Sequence, residues 1–154
     1  MLQLTTFYVG TTMFGVNILQ VKEINNQLRY TTVPDSAFFI KGLFNLRGQI
    51  ITIFDLAKRL GREDTKIQEK TRNLILKTDT ETSLMRDKFN LEEIGNDAVG
   101  FIIDRIGDVV EINEEDIQQA PANVGDISKE FIKGVVELKN DLLIILNVEE
   151  IIKF

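Results

Sequence analysis

Cysteine and histidine are both absent from the 154 residues. Without cysteine there is no disulfide, no thiolate metal site and no cysteine nucleophile. Without histidine, the commonest general base and the commonest transition-metal ligand are missing. Serine is scarce: Ser36, Ser83 and Ser128 are the only three, none lies in a G-x-S-x-G turn, and no imidazole exists to activate them. Neither a G-x-x-x-x-G-K-[ST] nor a G-x-G-x-x-G segment occurs, and the EF-hand pattern is missing. These gaps predict no catalytic residue, no metal and no cofactor.

Positive charge is also in short supply. Lys and Arg total 18 against 24 Asp and Glu, a formal charge of −6, and no basic run occurs. Nucleic acid and anionic lipid are both recognised through clustered cations, so neither is an expected partner. No segment approaches the ~20 apolar residues of a membrane span, and the start, Leu2-Gln3-Leu4-Thr5-Thr6, has no signal-peptide character. The expectation is a soluble, cytoplasmic protein.

What is present is strand chemistry. Short apolar segments rich in Val, Ile and Phe alternate with Gly, Asn and Asp. Thr6–Val9 and Met13–Leu19 read as a hairpin around Gly10-Thr11, with Phe14, Val16 and Ile18 on one face. Leu43–Leu46 and Gln49–Phe54 flank Arg47-Gly48 as a second hairpin. Asn73–Lys77, Ala98–Ile103 and Val109–Ile112 are further strands, and Val135–Leu138 and Leu142–Leu146 flank the turn Lys139-Asn140-Asp141. Helices are few: Asp55 caps Leu56–Leu60 with Gly61 as the stop, and Asn147 caps Val148–Phe154. Single turns are expected after Pro34, ending at Gly42, and after Asn113. Thr78–Asn96 is polar and aperiodic and reads as a mobile loop with room for one weak helical turn.

The informative feature is an internal repeat. Phe39-Ile40-Lys41-Gly42 recurs unchanged as Phe131-Ile132-Lys133-Gly134, and the register then holds without a gap through the hairpin. Asp55 matches Asn147, Leu60 matches Ile152, and more loosely Phe14-Gly15-Val16 matches Val99-Gly100-Phe101. Residues 39–60 thus repeat as 131–152. The reading is one domain, residues 1–154, made of two interleaved β lobes. Each lobe has a hairpin, a connecting segment, a second hairpin and a short helix. Each alone is near the lower size limit for independent stability, so they should share a hydrophobic core.

Few polar residues offer chemistry. Asp55 and Asp104 are conceivable as an acid–base pair, but the first stands at an N-cap and the second at a turn. Glu114-Glu115-Asp116 fits an acidic first helical turn better than a cation site. Asn45-Leu46-Arg47-Gly48 is the most suggestive: an Arg at a hairpin tip is placed for a planar, bidentate contact, or is simply a solvated turn residue. Lys139 occupies the matching turn.

The run Phe14 to Ile24, then Val33-Pro34, then Ile40 to Leu56 with its Gly42-Leu43-Phe44-Asn45-Leu46-Arg47-Gly48 core, closely resembles the CheW family of bacterial chemotaxis coupling proteins. Gly100–Ile106 and Phe131–Val135 extend the resemblance over nearly the whole chain. Two departures are Thr52, where the family usually has Pro, and the length of Thr78–Asn96. The resemblance implies two five-stranded SH3-like β-barrels around a shared hydrophobic core, with short helices including a C-terminal one. It implies a non-catalytic adaptor that joins the cytoplasmic tip of methyl-accepting chemotaxis receptors, a helical hairpin bundle, to the regulatory domain of the histidine kinase CheA. It places the protein in the cytoplasm, recruited to receptor arrays at the inner membrane face. Arg47, Glu23, Val21 and Gly42 match family positions linked to receptor binding. Val21 serves equally as a core residue, and Gly42 is required for backbone geometry rather than contact. Kinase-contact residues are not placed, although exposed apolar strand edges at the barrel ends are natural candidates. Two alternatives are a coupling protein of a chemosensory-like pathway that does not control motility, and a ligand-binding β-barrel module.

Overall fold

A computed structural model describes residues 1–154, the side chain of Asn123 excepted. Its strands are β1 (Leu2–Val9), β2 (Thr12–Asn17), β3 (Val21–Asn25), β4 (Ile40–Leu46), β5 (Gln49–Asp55), β6 (Arg72–Leu76), β7 (Val99–Ile103), β8 (Arg105–Ile112), β9 (Asn123–Val124), β10 (Ile127–Ser128), β11 (Ile132–Glu137) and β12 (Leu142–Leu146). The helices are α1 (Leu56–Arg59), α2 (Asp79–Thr82), α3 (Arg86–Phe89) and α4 (Val148–Ile152). Apart from the small β9–β10 hairpin, the strands form two five-stranded sheets, ordered β11-β12-β2-β1-β8 and β4-β5-β7-β6-β3.

The two orders are the same topology twice. In each, a hairpin meets the next strand in parallel (β12 with β2, β5 with β7), and the remaining pairings are antiparallel. The repeats exchange hairpins. β1–β2 completes the sheet built by β8, β11 and β12, while β6–β7 completes the one built by β3, β4 and β5.

Both faces of these sheets carry apolar side chains, which explains the nearly continuous hydrophobic strands. Along β12, Ile144 and Leu146 enter the core shared by the sheets, whereas Leu143 and Ile145 point into the curl of their own sheet. On β6, Leu74 and Leu76 face the shared core and Ile75 the inner one. The shared core holds Phe7 stacked on Phe14 at 6.0 Å and Phe54 edge-on to Phe101 at 6.2 Å. Gly15 and Gly100 lie on the inner faces, where a Cβ on Gly100 would come within 2.8 Å of the Leu74 carbonyl.

The sheets do not close into the expected barrels. Each keeps two edge strands in its hydrogen-bonded order, β3 and β4 in one and β8 and β11 in the other. A single two-bond bridge returns the chain to the edge: Thr31 with Leu43, and Gln118 with Val135. The returning segment crosses the repeated glycines, Gly42 and Gly134, which explains why that position is Gly in both halves.

The helix caps stand where the sequence places them. Asp55 accepts from the Lys58 N–H and Asn147 from that of Glu150, and Gly61 follows α1 at φ +88°. Three expectations are corrected. β2 ends at Asn17, whose side chain accepts from the Leu19 N–H and starts a short 3-10 turn, so Ile18 leaves the strand. The turn at Pro34 is confined to Pro34–Asp35, with Asp35 at φ +57°, and does not run on to Gly42, which lies inside β4.

The third correction concerns Thr78–Asn96, which is built rather than open. Thr78 and Glu81 form a capping box on α2, and the Asp79 carboxylate accepts from the N–H groups of Ile94 and Gly95 at 2.8 Å each. Leu91 and Ile94 are buried. Polar residues hid this order because they bond to local backbone instead of showing a helical period.

In the same segment, burial pushes the Glu92 carboxyl above its usual range, against Lys133 and the N–H groups of Val148 and Glu149. A raised native pKa means the fold favours the protonated form. That stabilisation is complete below the unfolded-state pKa and is lost as pH rises through the native one. Glu92→Gln should therefore melt higher than the wild type at pH ~7, and the difference should shrink as pH falls through the carboxylate range. Thermal melts across pH check this; a lower melting point at neutral pH would mean that Lys133 and the α4 N–H groups outweigh burial.

Candidate functional site

The family-linked residues fall on one curled sheet. Arg47 and Gly48 form the two-residue loop of the β4–β5 hairpin, with φ +50° and +89°. Positive φ at both loop positions marks the turn type that follows strand twist. The Asn45 side chain accepts from the Gly48 N–H at 2.8 Å and holds the turn. This geometry carries the Arg47 guanidinium across the open side of the sheet to the Glu23 carboxylate on β3, where the two form an ion pair. The Arg47 side chain is 68% exposed and that of Glu23 25%. The bond from Arg47, then one from Asn25, holds the Glu23 carboxyl below its usual range. Glu23 is thus ionised at neutral pH, and Arg47 keeps further donors facing solvent.

Lys22, which the sequence did not single out, reinforces the same gap. Its Nζ bonds Gln49 Oε1 at 3.0 Å and Glu81 Oε2 on α2 at 2.8 Å. Val21 is half-buried and packs on the shared core, the structural alternative for that residue. Gly42 lies at the far end of β4, beneath Tyr30 and Thr31, and takes no part in the ion pair. The structure therefore brings Arg47 and Glu23 together, sets Val21 along the same strand as Glu23, and gives Gly42 a backbone role.

The matching turn in the other lobe differs. Lys139 and Asn140 have no positive φ, so the second hairpin does not repeat the Arg47 geometry. Asp55 and Asp104 are also structural. Asp55 is 2% exposed and accepts from the Thr65 N–H and hydroxyl at 2.9 and 3.0 Å, while Asp104 accepts from the Gly10 N–H.

Two arginines that carried no signal in the sequence tie the lobes together. Arg59 lies 4.5 Å from the Phe39 ring and 4.9 Å from that of Phe131, and donates to the carbonyls of Glu150, Ile151 and Lys153. Arg62 donates to the Val9 carbonyl and Thr12 hydroxyl and forms a two-pronged pair with Asp126.

The family model described as the CheW-like domain matches residues 3–154. The chain belongs to the CheW-like family. Among curated relatives, the chemotaxis protein CheW of Treponema pallidum is 30% identical over 149 residues, covering 97% of this chain and 81% of that one. The CheW of Helicobacter pylori is 28% identical, covering 99% and 82%. The crystal structure of the scaffolding protein TtCheW from Thermoanaerobacter tengcongensis superposes with a TM-score of 0.82 at 25% identity, covering 99% of this chain and 88% of that one. This CheW-like chain is thus similar to chemotaxis and scaffolding proteins along its full length. No helix among the described residues is long and apolar enough to cross a membrane.

Proposed function

We propose that this CheW-like protein is a non-catalytic adaptor that couples chemotaxis receptors to a CheA-type histidine kinase. The observation that carries this reading is the family match across residues 3–154. The geometry supports a docking role for the Arg47–Glu23 rim. A rigid two-residue turn presents a largely exposed guanidinium beside an ionised carboxylate, and such a pair fixes the register of a helix laid against it. Arg47, Glu23 and Val21 then form the receptor side, with Gly42 supporting the strand beneath. The receptor tip, a helical hairpin, is the partner, and association with it recruits the adaptor to receptor arrays at the membrane. Exposed apolar residues on strand edges, Ile106 and Val109 on β8 among them, are the candidates for kinase contact.

Arg47→Ala tests the receptor half. An exposed ion pair contributes up to about 1 kcal/mol, so the variant should melt close to the wild type. A charge-assisted bond to the receptor contributes on the order of 1.5–3 kcal/mol, so affinity for a receptor-tip fragment should fall roughly ten- to over a hundred-fold. Arg47→Lys should recover only part, because it keeps the charge and loses the fork. Lys139→Ala should change little. Normal binding by Arg47→Ala would remove Arg47 from the site.

A further inference from the structure

Gln20 stands in the 3-10 turn between β2 and β3 and is only 2% exposed. Its backbone is used, since the carbonyl accepts from the Lys77 N–H at 2.8 Å. Its side chain is not. Neither Oε1 nor Nε2 has a hydrogen-bond partner, and these are the buried side-chain polar atoms left unpaired among the described residues. Burying an amide without partners is unfavourable, so a fold that keeps one at this position is maintaining a polar group against the gradient of stability.

Gln20 also lines a cavity of about 360 Å³. Leu4, Val16, Ile145 and Leu146 give it an apolar floor, and Phe89 to Glu92, the chain leaving α3, form its other side. Asn17 and Asn90 add polar edges to the lining, and size, an apolar floor and a few polar groups are what a small-molecule site needs. The charged groups that line it, Glu92, Glu114 and Lys133, include both signs. Burial favours the neutral form of Glu92, while Lys133 and the N–H groups at the start of α4 pull the other way.

We propose that this cavity binds a small uncharged amphiphile whose head is a primary amide and whose short tail is apolar. The head matches Gln20 because it offers one donor and one acceptor side by side, the complement of the Gln20 amide, and forms two parallel hydrogen bonds with it. The tail lies on Leu4, Val16, Ile145 and Leu146. The unpaired amide atoms are screened from bulk water, so the head group reaches them by parting the side chains of the cavity wall. The site does not depend on the adaptor reading, although Gln20 directly precedes Val21 of the receptor side.

Hexanamide is the probe. In an NMR titration of the intact protein it should shift the side-chain amide resonances of Gln20, with affinity of about millimolar for so few atoms. Gln20→Leu, close in volume and free of polar atoms, should weaken hexanamide at least ten-fold while retaining benzene, which makes no hydrogen bond. The same variant should melt higher than the wild type, since it removes an unsatisfied amide. Leu2→Trp, at the cavity rim and away from Gln20, should exclude both probes while the Gln20 resonances persist. The proposal is overturned if hexanamide leaves the Gln20 resonances unmoved, if Gln20→Leu binds it as well as the wild type, or if Gln20→Leu melts lower, which would show the amide already satisfied by internal water.

Discussion

Gly42→Ala should lower folding stability by about 2–5 kcal/mol, the sum of overpacking and a strained backbone. A Cβ at this position would sit 2.7 Å from the Thr31 carbonyl oxygen and 2.8 Å from the Tyr30 Cβ, and φ is +154°. Neither obstacle is the free end of a flexible side chain. Thr31 is also the residue that bridges Leu43, so relief of the clash opens the one link between the two sheet edges there. The melting temperature should fall by on the order of 10 °C for a chain of this length. Gly48→Ala is the control: its Cβ would meet nothing within 4 Å, leaving only the cost of a positive φ, about 1 kcal/mol. Gly134→Ala should fall between them, because its main obstacle is the Ile117 side chain and its φ is not in the positive range. If Gly42→Ala loses receptor binding, the melt separates collapse of the strand from loss of a contact. A Gly42→Ala protein that melts with the wild type would refute the backbone role given to this residue.

Asp55→Ala should cost about 2–4 kcal/mol. Loss of the N-cap accounts for roughly 1 kcal/mol. The remainder comes from Thr65, buried, whose N–H and hydroxyl both donate to the Asp55 carboxylate and would be stranded. Asn147→Ala removes the repeat-related cap, whose side chain accepts from the Glu150 N–H, and should cost only about 1 kcal/mol. Urea denaturation of both variants measures the difference through the midpoints, provided the slopes match that of the wild type. Equal losses would mean that the Thr65 anchor contributes nothing, and that the cap alone explains both positions.

The features legible in the sequence are those written within a few residues. Ile50 to Phe54 and Leu142 to Leu146 announce strands by β-branched and bulky side chains, Arg47-Gly48 announces a turn, and Asp55 and Asn147 announce caps. The pairing of hairpins was not legible. β12 meets β2 in parallel 130 residues away and β5 meets β7 in parallel 47 residues away, and nothing in the alternation of a strand names its distant neighbour. The short strand Val21–Asn25 is half-exposed, VKEIN, and lacks the apolar content that marks the others. The family resemblance singles out Arg47 and Glu23 one by one, and nothing in the sequence names them as an ion pair; the residues alone leave Arg47 as either a contact residue or a solvated turn side chain. Lys22, Arg59 and Arg62 had no local signal, because their partners lie 27 to 94 residues away.

The hairpin exchange constrains what the half-length chain could be. A polypeptide ending near α1 would carry β1 to β5, but its β1–β2 hairpin belongs to a sheet whose other strands lie in the second half. Alone it would expose two incomplete sheets with open edges. Two copies of a single ancestral half would each donate the missing hairpin to the other, giving the same two sheets about a twofold axis. The present chain has the strand layout of such a dimer with its two halves covalently joined. That linkage frees the halves to diverge: one hairpin tip now carries Arg47 in a positive-φ loop, the other a plain turn at Lys139. A symmetric assembly presents every surface twice, whereas this chain presents each of its faces once.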